Sequence, residues 1–282
     1  MLDWSAKQFP DFAQASRYRL VEQSEPLRKR LEERLAEHLA QGRAQVCASL
    51  EEASAKLGDV AIVFGNEFFD ALPVEIVDHR GKVCIGEEEG RFVETFVPPS
   101  PAESEYLDRY SVHPEEGERV EVSLAGLDWL DRIVGVFDDR RGFAVFIDYG
   151  YTREEQLAGR HRDTLMTYRR HTASPSPYEA PGEQDITTYV NFTALRSRAT
   201  ERGLDEIALV TQTQFLIGIG EETQFADAFQ DCKLPQEQAK VALQLRHLVS
   251  PEEMGEKFHV LLLSRGVGEE KAAQLSGLKL TR

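Results

Sequence analysis

In DVAIVFGNEFFDALPVEIVD (59–78), five apolar residues in a row give way to a polar turn and then to an alternating run. A segment apolar on both faces suits the interior of a parallel sheet, so Asp59–Phe64 is expected as a central strand. Beyond Pro73 the period is two. It predicts short antiparallel strands at Val74–Asp78, Lys82–Gly86 and Arg91–Val97, punctuated by Gly81 and Gly90 and closed by Pro98, Pro99 and Pro101.

Upstream, Arg17–Glu22 reads as a strand, and Ser24 and Pro26 suit the start of a helix. Leu27, Leu31, Leu35 and Leu39 recur at helical spacing and predict one buried stripe. Ala44–Ala48 follows as a strand and Glu51–Leu57 as a short helix. Downstream, helices are expected over Tyr106–Ser111 and from Ser123 through Phe137, with a small strand at Arg119–Val122 between them. Phe143–Asp148 is a further sheet strand. Residues 151–190 show little periodicity, and a loop that long inside a domain is usually functional or mobile. Phe192–Arg202 reads as a helix, Glu206–Thr211 as a strand, and 221–231 and 236–248 as helices. Ser250-Pro251-Glu252-Glu253 has the form of a capping box. Phe258–Ser264 makes a last strand, and residues 267–282 form a weakly specified tail. The fold class is α/β, a mostly parallel sheet with an inserted meander.

The chain has 282 residues, with 33 Lys and Arg against 49 Asp and Glu, a net charge of −16. Such a surface repels phosphate backbones and anionic lipid, so no nucleic acid partner is expected. Cys47, Cys84 and Cys232 form no C-x-x-C pair, which suits a reducing compartment, and the expected location is cytoplasmic. The longest apolar runs are far short of the roughly 20 residues a bilayer span needs, so no membrane insertion is expected. The seven histidines lack ligand spacing and no metal is expected. No G-x-G-x-x-G or Walker loop occurs in the sequence.

Three groups of residues could carry chemistry. Glu22 ends a strand just before a helix, where a carboxylate can accept both hydroxyls of a ribose; a solvated strand end is the plainer alternative. Asn66, Glu67 and Asp70 follow the most apolar strand. If the turn enters a helix, the two acids lie three apart on one face with Phe68 and Phe69 inward; acids at a helix start are favoured by the macrodipole in any case. Arg162 and Tyr168-Arg169-Arg170-His171 form a basic cluster in an acidic protein, suited to an anionic group or simply to solvent.

Taken in order, GNEFFDALPVEIV (65–77), VFIDYG (145–150), TLMTYRRH (164–171), PGEQDITTYVNFTAL (181–195) and SPEEMGEKFHVLLLSRG (250–266) resemble the MidA-like family. These are class I S-adenosylmethionine-dependent methyltransferases, related to a mitochondrial arginine methyltransferase that assists complex I assembly. The resemblance runs from about Asp3 to Gly266. It implies a Rossmann-like methyltransferase domain over residues 1–266, with the meander at 74–97 and the substrate-side segment at 151–190. It also implies S-adenosyl-L-methionine as cofactor, bound through Glu22 on the ribose and Ser49 and Leu50 on the adenine side. Asn66, Glu67 and Asp70 become the catalytic candidates, with Arg169, Arg170 and His171 near the substrate entrance. The implied partner is an arginine-bearing protein substrate, for which the resemblance suggests a respiratory complex subunit.

Two departures from the family pattern stand out. Relatives commonly read V-D-F-T where this chain has Val190-Asn191-Phe192-Thr193. Relatives also carry a first strand and an E-x-G-x-G-x-G loop ahead of the position of Met1, so the resemblance implies a sheet without its first strand, as in a fragment, a misplaced start or a degenerate copy. The competing reading is therefore a non-catalytic assembly or scaffold protein that keeps the fold without the cofactor loop.

Overall fold

The computed structural model describes residues 1–169, 172–174 and 176–281. They fall into two units, Met1–Ala61 and Ile62–Arg282.

In the first unit, helices α1 (Leu2–Gln8) and α2 (Pro10–Ala15) precede β1 (Tyr18–Val21), α3 (Glu25–Arg34), α4 (Ala36–Ala40), β2 (Ala44–Cys47) and α5 (Leu50–Ser54). β1 and β2 pair in parallel, with Tyr18 opposite Ala44 and Val21 opposite Cys47. The expected leucine stripe is not buried. Leu35 leaves helical geometry (φ −103°, ψ 12°) and splits the helix into α3 and α4, and neither piece carries a buried residue. The physical reason is supply of apolar surface: the unit's sheet has two four-residue strands, and its buried apolar side chains are small, Ala13, Ala44, Cys47, Ala53 and Ala61.

The second unit carries β3 (Val60–Asn66), which begins at the end of the first. A four-stranded antiparallel sheet follows, built from β4 (Glu75–Asp78), β5 (Gly81–Glu88), β6 (Arg91–Val97) and β7 (Arg119–Val122) in the order β6-β5-β4-β7. The expected meander is present, and β7 extends it. Helix α6 (Pro101–Tyr110) starts with a capping box between Ser100 and Glu103. Lys82 of β5 ties it to the sheet, 2.8 Å from the buried Glu103 carboxylate and 2.9 Å from Glu75. Tyr106, Leu107 and Tyr110 of α6 then pack with Val77, Val120, Val122 and Leu127, the last from α7 (Leu124–Gly135).

The main sheet contains β8 (Arg141–Tyr151), β12 (Val190–Asn191), β13 (Asp205–Thr211) and β14 (Phe258–Arg265) in the order β12-β8-β14-β13, with β3 also on β8. It is mixed rather than mostly parallel, because β14 runs antiparallel to both β8 and β13. An apolar run such as Val260–Leu263 reports burial on both faces and carries no information on direction. β3 also departs from expectation. Ala61 is buried, but Ile62 and Phe64 are 59% and 51% exposed, since among the described residues β3 pairs with β8 alone.

Residues 151–190 are more regular than their sequence suggests. α8 (Arg153–Leu157) is followed by β9 (Met166–Arg169), β10 (Thr172–Ser174) and β11 (Asp185–Thr187), which form a small antiparallel sheet in the order β10-β9-β11. Strands of three or four residues are too short to show a period. The segment is fastened to the meander by Tyr178, whose hydroxyl donates at 2.8 Å to the Glu94 carboxylate that Arg119 of the same sheet grips through two nitrogens (2.9 and 2.6 Å).

The remaining helices are α9 (Phe192–Glu201), α10 (Gln212–Gly220), α11 (Ala226–Phe229), α12 (Pro235–Val249) and α13 (Glu269–Ala272). The expected capping box at Ser250 is not formed. Its hydroxyl donates to Glu252 at 2.6 Å, and Glu253 has a non-helical backbone within a π turn over Pro251–Gly255. The C-terminal segment docks. Leu278 is buried with Val210, Val260 and Leu262, and a Cβ on Gly277 would lie 2.3 Å from the Phe215 ring.

Candidate active site

Three successive residues near the end of β8 hold the turn that follows β3. The Ile147 carbonyl accepts the Glu67 N–H at 2.9 Å. One carboxylate oxygen of Asp148 accepts the N–H groups of Phe68 (3.1 Å), Phe69 (3.0 Å) and Asp70 (3.4 Å). The Tyr149 hydroxyl donates to the Asp70 carboxylate at 2.6 Å. Beneath the turn, Phe69 packs edge-on to Phe146 with ring centroids 5.1 Å apart, and Phe68 meets Trp129 at 5.3 Å.

A helix over Glu67–Asp70, the condition for the two acids to share a face, does not form. Glu67 takes a left-handed φ of 49°, Leu72 closes a single turn back to the Phe69 carbonyl, and Pro73 has no N–H to continue it. The two acids are thereby separated instead of sharing a face. Asn66 and Glu67 are exposed, and the Asn66 amide donates to the Glu67 carboxylate at 3.1 Å. Asp70 is 5% exposed and turned to Tyr149.

Sequence reasoning missed Asp148. The signal was available, as a carboxylate ending the apolar run FAVFI (143–147), but no local neighbour marked it; its partners lie 78 to 80 positions away. At 1% exposure, burial and then the Asp70 charge push its carboxyl up to about 7, against the pull of the three N–H groups. Burial and the bond to Asp70 likewise keep the Tyr149 phenol protonated well above the ordinary range.

In the first unit, Glu22 stands at the carboxyl end of β1, its N–H bonded to the Cys47 carbonyl of β2 at 3.0 Å. One of its carboxylate oxygens accepts the Ser24 N–H at 2.8 Å. Ser49 caps α5 by accepting the Glu52 N–H at 3.2 Å, and Leu50 begins that helix. Parallel pairing thus brings Glu22, Ser49 and Leu50 to the same end of two neighbouring strands, an arrangement able to offer a carboxylate and an apolar wall to a nucleoside.

On the substrate-side segment, Arg169 is exposed and ion-paired to Glu183. Arg170 and His171 lie outside the described residues. Arg162 is engaged by Glu118 and donates to the Gln156 carbonyl at 3.1 Å, so it fixes its own segment. Asn191, where the family pattern led to an expected Asp, is buried and uses both ends of its amide. Its oxygen caps α9 by accepting the Ala194 N–H (3.1 Å), and its nitrogen donates to the Tyr110 carbonyl (2.9 Å). A carboxylate can make only the first of these bonds.

Glu121 of β7 is a second buried carboxyl, 2% exposed, accepting the Thr164 N–H at 2.6 Å and the Leu165 N–H at 3.1 Å through one oxygen. Burial pushes it up to about 7 from an ordinary 4.5. Between those values the folded state binds the extra proton, so this contribution to stability is complete below the lower value and is lost as pH rises through the upper. Asp148 acts in the same direction. Glu121→Gln keeps the accepting oxygen and never ionises. Its stability relative to wild type is expected to improve by on the order of 2–3 kcal/mol between pH 5 and pH 8. Parallel pH slopes in urea denaturation of the two proteins would remove Glu121 as the cause.

The sequence model of the family described as "Putative S-adenosyl-L-methionine-dependent methyltransferase" matches residues 1–210. The chain belongs to this family. The mitochondrial protein arginine methyltransferase NDUFAF7 of Danio rerio is 26% identical to this methyltransferase-family chain over 214 residues, 70% of this chain and 46% of its own length. The Drosophila melanogaster homolog is 26% identical over 232 residues, 73% of this chain and 48% of its own. The chain thus spans about half the length of the curated relatives it matches. Among solved structures, an uncharacterized Burkholderia thailandensis protein matches with a TM-score of 0.77 and 30% identity, over 93% of this chain and 68% of that one. A second structure from the same organism, bound to S-adenosyl-homocysteine, matches with a TM-score of 0.75 and 27% identity, over 98% and 70%. The expected class I methyltransferase fold is borne out, with a mixed sheet in place of a mostly parallel one.

Proposed function

We propose that this methyltransferase-family protein binds S-adenosyl-L-methionine and methylates a protein side chain, arginine fitting best. The observation that carries the acceptor side is the exposed Asn66–Glu67 pair, held on a turn that β8 clamps at four consecutive N–H groups. A guanidinium has five donors in a rigid fork and a pKa above about 12. The Glu67 carboxylate can take two of those donors, keep electron density on the attacking nitrogen and accept the proton that is released, with Asn66 orienting both partners. Asp70, grouped with them as catalytic by its place in the sequence, becomes a support, since it is buried and bonded to Tyr149. Arg169 suits an acidic segment of the substrate protein.

The donor side fits the first unit. Glu22 would hold the ribose hydroxyls, and Ser49 and Leu50 would lie along the adenine. When bound, the cofactor supplies an already electrophilic methyl group, so the chain's own work is alignment. The names of the Danio rerio and Drosophila melanogaster relatives support arginine as acceptor. A respiratory complex subunit as substrate and a cytoplasmic location belong to the same proposal, the second resting on three free cysteines.

Calorimetric titration with S-adenosyl-homocysteine and methylation of arginine-bearing peptides separate the two sides. Losing a bond to a charged group removes about 1.5–3 kcal/mol, so Glu22→Ala is expected to weaken the cofactor roughly ten- to hundredfold. Glu67→Gln is expected to lower turnover by about a hundredfold with cofactor affinity kept. Full turnover in Glu67→Gln would remove it from the acceptor site. A wild-type protein that binds no cofactor would favour the assembly-protein reading.

A further inference from the structure

We propose that Asp148 is the positioning residue of the acceptor side, a buried carboxylate whose grip on three consecutive N–H groups sets the pose of Asn66 and Glu67. The activity arm of this proposal rests on the methyltransferase reading above; the backbone arm does not. Asp148 is 1% exposed and both of its oxygens are engaged by backbone: one takes the N–H groups of Phe68, Phe69 and Asp70, the other that of its neighbour Tyr149. It therefore acts through the turn rather than on a reacting atom.

The geometry explains why a carboxylate is needed at this place. Phe69 and Asp70 would otherwise bury two donors with no acceptor, and Phe68 would half-bury a third, which is costly. A single oxygen can satisfy all three only if the backbone curls around it, and that curl begins at Glu67 with its φ of 49°, unfavourable for a residue with a Cβ. The strain is held locally by the Ile147 carbonyl on one side and by Tyr149 on Asp70 on the other. Releasing Asp148 lets Glu67 return to an ordinary backbone conformation and swings its carboxylate away from Asn66. A shift of about 1 Å in a reacting group can cost a hundredfold in rate, while a cofactor held elsewhere is untouched.

Asp148→Ala and Asp148→Asn test this, with hydrogen exchange read at the amides of residues 67–70 and methylation kinetics on an arginine peptide. Asn keeps an accepting oxygen and should rescue. In Asp148→Ala the amides of Phe68, Phe69 and Asp70 should exchange about ten- to a hundredfold faster, as local opening no longer breaks the clamp, with a smaller change at Glu67, whose N–H is held by the Ile147 carbonyl. Its kcat should fall by about a hundredfold with the peptide KM and cofactor affinity within roughly threefold of wild type. If Asp148→Ala does not melt cooperatively, Asp148→Ser takes its place. Unchanged exchange in the substituted protein, or faster exchange with unchanged kcat, overturns the proposal. Loss of kcat in Asp148→Asn equal to that in Ala overturns it as well, since the charge and not the clamp would then matter. A wild type without methylation activity defeats the methyltransferase reading, and the exchange result then decides the clamp alone.

Discussion

Phe146→Ala is expected to remove about 3–5 kcal/mol of stability, the upper part of the range for large-to-small core changes. The ring is 1% exposed and sits edge-on to Phe69. A Cβ on Gly65 would come within 3.1 Å of it, so backbone lies directly against the ring. Backbone of a paired strand cannot move in to fill the space, and the cavity stays open. Against a typical domain stability of about 5–15 kcal/mol this is a large fraction. Urea denaturation followed by tryptophan fluorescence measures it, because Trp129 packs on Phe68 of the same turn. A loss below about 1 kcal/mol would mean that the turn collapses onto β8, against the rigid geometry described.

Gly150→Val is the second large effect, and it acts through crowding. A Cβ at position 150 would lie 2.2 Å from the Val190 carbonyl oxygen and 2.7 Å from the Phe192 ring. Phe192 is fully buried, and Val190 is the register partner of Gly150 in the β8–β12 pair. Neither can yield without parting the strands. The expected cost is about 3 kcal/mol, the upper end for overpacking. At about 2–4 °C per kcal/mol this lowers the melting temperature by roughly 6–12 °C. The damage should reach the turn, since the Thr188 N–H, two residues before Val190, donates to the Asp70 carbonyl at 3.0 Å. A melting temperature within about 2 °C of wild type would show that the chain accommodates the side chain, contrary to this account.

What could be read in the sequence was whatever leaves a local mark. The meander is written in alternation, Phe143–Asp148 in its apolar run, and the strand end at Glu22 in the Ser24 and Pro26 that follow it. What could not be read depends on distant partners. Glu67 and Asp70 are spaced for one helical face, yet β8, reached only some eighty residues later, takes the backbone donors and bends the turn left-handed at Glu67. Asp148 has no sequence neighbour that explains it. The four leucines of residues 27–39 keep perfect helical spacing, but a stripe needs a surface to cover, and spacing says nothing about that. The strands β9, β10 and β11, of four, three and three residues, are too short for an alternation to stand out. Asn191 looked like a departure from its relatives and is a donor that the Tyr110 carbonyl uses.

The antiparallel seating of β14 beside β8 has a consequence for how the chain is made. β8 ends at Tyr151, but the strand that covers it over eight paired positions, from Phe258 to Arg265, comes more than a hundred residues later. During synthesis at about 5–20 residues per second, that flank of β8 stays unpaired for several seconds or longer. Phe143, Val145 and Ile147 share a core with residues of β13 and β14 and with Leu278, so their cover arrives late too. Contacts of this separation also slow refolding, because loop closure precedes any reward from packing. The nascent chain therefore passes through an interval in which this apolar strand has an open edge, and any holding factor that binds it would be expected to let go only after residue 265 has emerged.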